Sequence, residues 1–109
     1  EAIQSRSHTI GMPPDMLASG EHYALEVRGD SMIEAGIHDG DLAVVERCPE
    51  AHQGDIVAAV VDDQLTLKTL ARDKNGYHLV PANSSYPVIR PQGKLEIFGV
   101  LVGLVRRYP

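Results

Sequence analysis

This sequence predicts a mainly β protein of twisted antiparallel sheets and hairpins with little helix, and three observations carry that expectation. Apolar and polar residues alternate with a period of two in several runs, the pattern of a strand with one buried face. Short turn pairs rich in Asp, Asn and Gly separate those runs at hairpin spacing. Where a longer helix could start, in "EAIQSRSHTIGMPPDMLASG" (1–20), Pro13-Pro14 and two glycines interrupt it.

The elements follow in order. Residues 1–20 read as an extended arm with a short turn of helix or loop, and residues 21–109 as the folded domain. "YALEVRG" sets Tyr23, Leu25 and Val27 against Ala24, Glu26 and Arg28, which predicts a strand. "DSMIEAGI" allows one helical turn capped by Asp30 or Ser31, and Asp39-Gly40 is a turn before a strand from Leu42 to Glu46. A meander comes next: a strand Ile56 to Val61, an acidic turn Asp62-Asp63-Gln64, a strand Leu65 to Ala71, an Asn75-Gly76 turn and a strand Tyr77 to Val80. The final run, "LEIFGVLVGLVRR", is apolar on both faces with Gly99 and Gly103 inside it. That suits a strand buried on both sides or paired closely with another chain.

Bulk properties narrow the function. A chain of 109 residues is one domain's worth, and it contains no apolar run long enough to span a bilayer. Cys48 is the single cysteine, so no internal disulfide is available, which favours the cytoplasm over a stapled secreted module. A net charge of −5 argues against a domain that grips a phosphate backbone by itself. Arg106-Arg107 is the one dense basic spot and reads as a solvated end.

Among chemistry-bearing residues, His8, His22, His38, His52 and His78 are scattered without ligand spacing, so neither a metal site nor a cofactor is expected. "DGD" at Asp39 to Asp41 lacks the ligand ladder of a calcium loop and reads as a turn. Cys48 precedes Pro49 with nothing local to activate it, and reads as inert. Arg28-Gly29-Asp30 spells an integrin-type adhesion tripeptide, yet it sits where a strand runs into a tight turn, a good place for a nucleophile at Ser31. A triad of Ser31, His38 and Asp41 is one arrangement open to it. Ser31 with Lys68 is another. Alternation groups Thr66, Lys68 and Leu70 on one strand face, where spacing alone favours a solvent-side lysine. If that face is covered, desolvation disfavours the ammonium, and a neutral amine can act as general base to a serine.

Four stretches together, "YALEVRGDSMIEAGIHDGDLAVV", "GDIVAAVVDDQLTLKTL", "PANSSYPVI" and "IFGVLVGLVR", closely resemble the C-terminal domain of the LexA repressors. The resemblance runs over essentially the whole chain, and "SHTIGMPPDMLASGEHYALEVRGDSM" looks most like the alpha-proteobacterial branch. It implies a LexA/signal-peptidase-like fold, a self-cleaving serine peptidase of the kind shared with UmuD and phage repressors. By position it gives Ser31 the role of nucleophile and Lys68 that of general base, with the backbone N–H groups of Ser31 and Asp30 as oxyanion donors.

The reaction it implies is hydrolysis of an Ala-Gly bond in a linker to an N-terminal winged helix-turn-helix domain. No Ala-Gly pair stands in the arm, so the chain is expected to be the product-side fragment or one cut close to it. Operator DNA would then be bound only through the missing N-terminal domain. An activated RecA–single-strand filament is the implied stimulating partner. A homodimer is also implied, through the strand holding Ile97, Phe98, Gly99, Val100, Leu101, Val102 and Gly103, for which an internal core strand is the plainer alternative. A UmuD-like polymerase accessory protein is the rival within the same resemblance.

Overall fold

The computed structural model describes residues 3–6, 21–47, 50–93 and 95–108. Within them lie β1 (Ile3–Arg6), β2 (His22–Val27), β3 (Leu42–Arg47), β4 (Ile56–Val61), β5 (Gln64–Asp73), β6 (Gly76–Val80), β7 (Glu96–Val105) and a single 3-10 turn, Ile33–Ala35. They form one seven-stranded sheet in the order β1-β2-β3-β7-β4-β5-β6, with every pairing antiparallel. β1 also comes against β5, so the sheet curls toward closure. Cys48, His8 and most of the expected arm lie outside the described residues; of the arm, β1 is seen, pairing with β2 from Ile3↔Val27 to Arg6↔Ala24.

Strands β2 to β6 form where alternation and turn residues predict them, with shifts that have local causes. The acidic turn is a two-residue loop, because Val61 already pairs with Gln64. Asp62 and Asp63 both take positive φ, 50° and 63°, the backbone of the hairpin turn that matches strand twist. Aspartate tolerates this region but still crowds its Cβ there. Asp63→Gly is therefore expected to stabilise the domain by about 0.5 kcal/mol, measured as a rise in the urea midpoint at constant slope. The next turn lies one residue earlier than expected: Asp73 pairs with Gly76, leaving Lys74 and Asn75 in the loop. The Asp73 carboxylate accepts from Asn75 N at 2.9 Å, an Asx turn that fixes the shift. The helical turn is capped by neither Asp30 nor Ser31; its first flanking residue is Met32, with no side-chain cap.

β7 departs most from a simple meander. Last in the sequence, it lies between β3 and β4 and hydrogen-bonds to both. Two bulges interrupt it: Val102 falls between the pairs Val44↔Gly103 and Val45↔Leu101, and Phe98 between Ala58↔Gly99 and Ala59↔Ile97. Each extra residue resets the alternation. Phe98, Leu101 and Leu104 consequently pack on one cluster, with Leu25, Val27, Val45 and Leu67 at its heart. Ile97 and Val100 pack on the opposite cluster, with Val57, Ala59, Leu70 and Leu79. Leu25, Leu79, Val44, Val45 and Val57 are fully buried, each such side chain contributing roughly 1.5–3 kcal/mol of transfer free energy.

Candidate functional site

The residues between β2 and β3 make a bend that carries Ser31. Gly29 opens it at φ 91°, a backbone that side chains with a Cβ rarely adopt. Its N–H donates to Asp39 Oδ1 at 2.7 Å, so the two halves of the connection are tied together. Arg28 reaches back to Glu26 at 3.2 Å. Asp30 is held by Tyr86, whose hydroxyl donates to Oδ1 at 2.6 Å, and by Asn83, whose Nδ2 donates to the Asp30 carbonyl at 2.9 Å. The tripeptide is thus built into a bonded turn, which weighs further against an adhesion loop.

Ser31 is 4 % exposed and Lys68 2 % exposed. The Lys68 amine lies 2.9 Å from Ser31 Oγ, 2.7 Å from Thr66 Oγ1 and 3.2 Å from the Leu67 carbonyl. The solvent-side reading of Lys68, which spacing alone favoured, is overturned. In the register Lys68 stands opposite Val57, which packs in a cluster with Leu70, Leu79, Ile97 and Val100. Thr66, two residues earlier on the same face, is 5 % exposed and contributes its hydroxyl. Period two could have picked out Thr66, since residues i and i+2 of a strand lie side by side.

The Ser31-His38-Asp41 arrangement is not what the side chains make. His38 is exposed, and Asp41 is committed elsewhere. Buried at 2 % exposure, Asp41 receives Arg106 Nε on Oδ1 at 2.8 Å, Arg106 Nη2 on Oδ2 at 2.7 Å and the His38 N–H on Oδ2 at 2.8 Å. Arg106 Nη2 also donates to the Gly36 carbonyl at 2.8 Å. Arg106 is therefore not a solvated end but a clamp from the close of β7 to the connection bearing Ser31.

The Arg106 guanidinium holds the Asp41 carboxyl below the usual carboxylate range, and the carboxylate in turn raises the guanidinium. A carboxyl whose folded value is depressed stabilises the fold above its unfolded value, near 4, and loses that contribution as pH falls through the folded value. Acid unfolding is accordingly expected to steepen below about pH 4, and Asp41→Asn to flatten that limb of the stability–pH curve, read by thermal melts across the range.

A second segment grips the bend from the far side. Between β6 and β7, Ala82 N donates to Met32 Sδ at 3.2 Å, and the Ala82 carbonyl accepts from Glu34 N at 2.8 Å. With the Asn83 and Tyr86 bonds, residues 82–86 touch the chain on both sides of Ser31. The segment is itself anchored by a two-bond bridge between Ile89 and Leu79. Sequence reading gave these residues no role: a polar loop bounded by Pro81 and Pro87 carries no periodicity, and its contacts span some 50 residues.

An antiparallel β domain that buries a serine hydroxyl against a lysine amine has the parts of a serine hydrolase that works without histidine. Residues 1–102 match the family described as Peptidase S24-like, and the chain belongs to that family. Serine-peptidase chemistry is the activity that membership carries, in the group that includes self-cleaving proteins of the LexA and UmuD type. Among the described residues, no helix is long and apolar enough to cross a membrane.

Proposed function

We propose that this chain is the self-cleaving domain of a LexA-type repressor, cytoplasmic and alpha-proteobacterial, in which Ser31 attacks and Lys68 acts as base. The observation that carries the reading is the 2.9 Å approach of a buried amine to a buried hydroxyl. Burial disfavours the charged form of an amine, and the three oxygens around Nζ named above are neutral. A neutral amine can donate to Thr66 Oγ1 and the Leu67 carbonyl while it accepts from the Ser31 O–H.

In the reaction, Lys68 takes the Ser31 proton as Oγ attacks the carbonyl carbon of the scissile bond. The negative oxygen that forms needs nearby donors. Gly29 N is committed to Asp39 and Ile33 N to the Asp30 carbonyl, while the N–H groups of Asp30 and Ser31 have no acceptor among the described residues. Collapse of the intermediate expels the amine, which takes the proton back from Lys68. Water then releases the acyl group from Ser31. Cleavage in a linker would part this domain from a DNA-binding domain. A RecA–single-strand filament would promote it by binding the cleavable state more tightly.

Dimerisation belongs to the same reading. β7 pairs with β3 from Gly99 to Val105 but with β4 only from Glu96 to Val100, so two copies would meet through its later half, where Val102 is 42 % exposed. Equilibrium sedimentation is expected to show twice the chain mass, and Val102→Asp to lower it; a monomer at high concentration removes this part. For the cleavage, the chain extended by an N-terminal linker with one Ala-Gly bond is expected to cut itself there at raised pH, seen as two fragments of the masses that bond predicts. An intact extended chain at high pH contradicts the proposal.

A further inference from the structure

One side chain outside the Ser31–Lys68 pair bonds the peptide unit that precedes Ser31, and a second fastens the Asp30 carboxylate beside it. The carbonyl of Asp30 and the N–H of Ser31 are opposite ends of one planar trans amide, so fixing one fixes the direction of the other. Asn83 Nδ2 donates to that carbonyl at 2.9 Å and Ile33 N donates to it at 3.2 Å. The Asn83 amide cannot turn round at no cost, because its Oδ1 accepts from Ser85 N at 2.9 Å. Its backbone is held as well, with Tyr86 N donating to the Asn83 carbonyl at 3.0 Å. Tyr86 then fastens the side chain of the same Asp30, at 2.6 Å. Asp30 is thus gripped at carbonyl and carboxylate by neighbouring residues of one loop.

We propose that Asn83, seconded by Tyr86, is a positioning residue that aims the Ser31 N–H at the oxyanion; the inference rests on the Ser31–Lys68 reading above. Neither side chain needs to touch the substrate. Asn83 acts through the amide plane, and its loss lets that plane rotate while the serine hydroxyl and its lysine stay in contact. The expected signature is a lower maximal reactivity of Ser31 with unchanged titration of its base.

A fluorophosphonate probe tests this on the chain as it stands, without a linker. Ser31 Oγ forms a bond to phosphorus, fluoride leaves, the hydroxyl proton passes to Lys68, and negative charge builds on the phosphoryl oxygen. Labelling is followed by intact mass over a pH series. The unaltered chain is expected to label at Ser31 with a rate that rises with pH to a plateau. Asn83→Asp keeps an oxygen for Ser85 N but loses the donor to Asp30, and its plateau is expected to fall roughly tenfold with the midpoint unmoved. Asn83→Ala, which adds no charge, must give a similar drop, and Tyr86→Phe a smaller one of about threefold. Thermal melts of the three variants are expected to stay near that of the unaltered chain.

A plateau within twofold of the unaltered chain for both Asn83 variants overturns the proposal. So does a shifted midpoint at an unchanged plateau, because that places the effect on Lys68. An unaltered chain that fails to label, or labels equally as Lys68→Ala, removes the Ser31–Lys68 reading and this inference with it. Lys68-dependent labelling that ignores Asn83 removes the inference alone.

Discussion

In the linker-bearing chain, Ser31→Ala and Lys68→Ala are each expected to lower self-cleavage at least about 10⁴-fold, since in the proposed reaction nucleophile and base act as one unit. The double variant should be little worse than either single one, because removing either member stops the step the other serves. Lys68→Met is the more telling replacement. It fills nearly the volume of the lysine stem with no charge to desolvate, in a face already lined by Val57, Leu70 and Leu79. Its melting temperature is therefore expected to match or exceed that of the unaltered chain while cleavage is lost, which separates chemistry from folding.

The pH dependence has a fixed sign. A protonated amine cannot take the Ser31 proton, so the rate is low in acid, rises as the amine deprotonates and levels off once it is neutral. In the unaltered chain that rise is expected to be single, because His38 is exposed and outside the Ser31 contacts. Undiminished cleavage in Lys68→Met, or a rate that falls with rising pH, contradicts the assignment of the base.

The second large effect is expected at Gly99, which makes no contact with the Ser31–Lys68 pair. β3 and β7 come so close there that a methyl group on Gly99 would strike the Glu46 carbonyl oxygen and lie 2.6 Å from Val45 Cγ1. Backbone cannot swing aside as a side-chain tip can. Both strands are pinned further along their ladders, β3 to β2 and β7 to β4. Gly99→Ala is expected to cost about 3 kcal/mol, enough to lower the melting temperature of a domain this size by about 10–20 °C. A change of under about 1 kcal/mol by urea denaturation would show that the two strands can part without penalty.

Most strands could be read from the sequence, because each has one covered face and sits between turn residues with a mechanism. β4 was located to the residue, from Ile56 to Val61. β7 was visible as an apolar run, but its place was not, since a run apolar on both faces does not say which neighbours it joins. Its bulges at Phe98 and Val102 were equally hidden; they follow from fitting two partner strands at once. Lys68 shows the limit most sharply. Alternation placed it correctly beside Thr66 and Leu70, yet whether that face is wet or dry depends on residues from β6 and β7. The resemblance to a family supplied what periodicity could not. Asn83, Tyr86 and Arg106 act through single bonds to distant backbone or carboxylate, and such contacts leave no pattern in one sequence.

The insertion of β7 has a consequence for timing. Ser31 lies in the connection between β2 and β3, and Lys68 on β5 in the unit formed by β4, β5 and β6; in the sheet order, β7 lies between the two units. Those units can each pair locally as they leave the ribosome, but the strand between them is the last to be made. Closure over such sequence separations is slow relative to hairpin formation. A newborn chain is therefore expected to hold Ser31 stably against Lys68 only once synthesis has passed Val105.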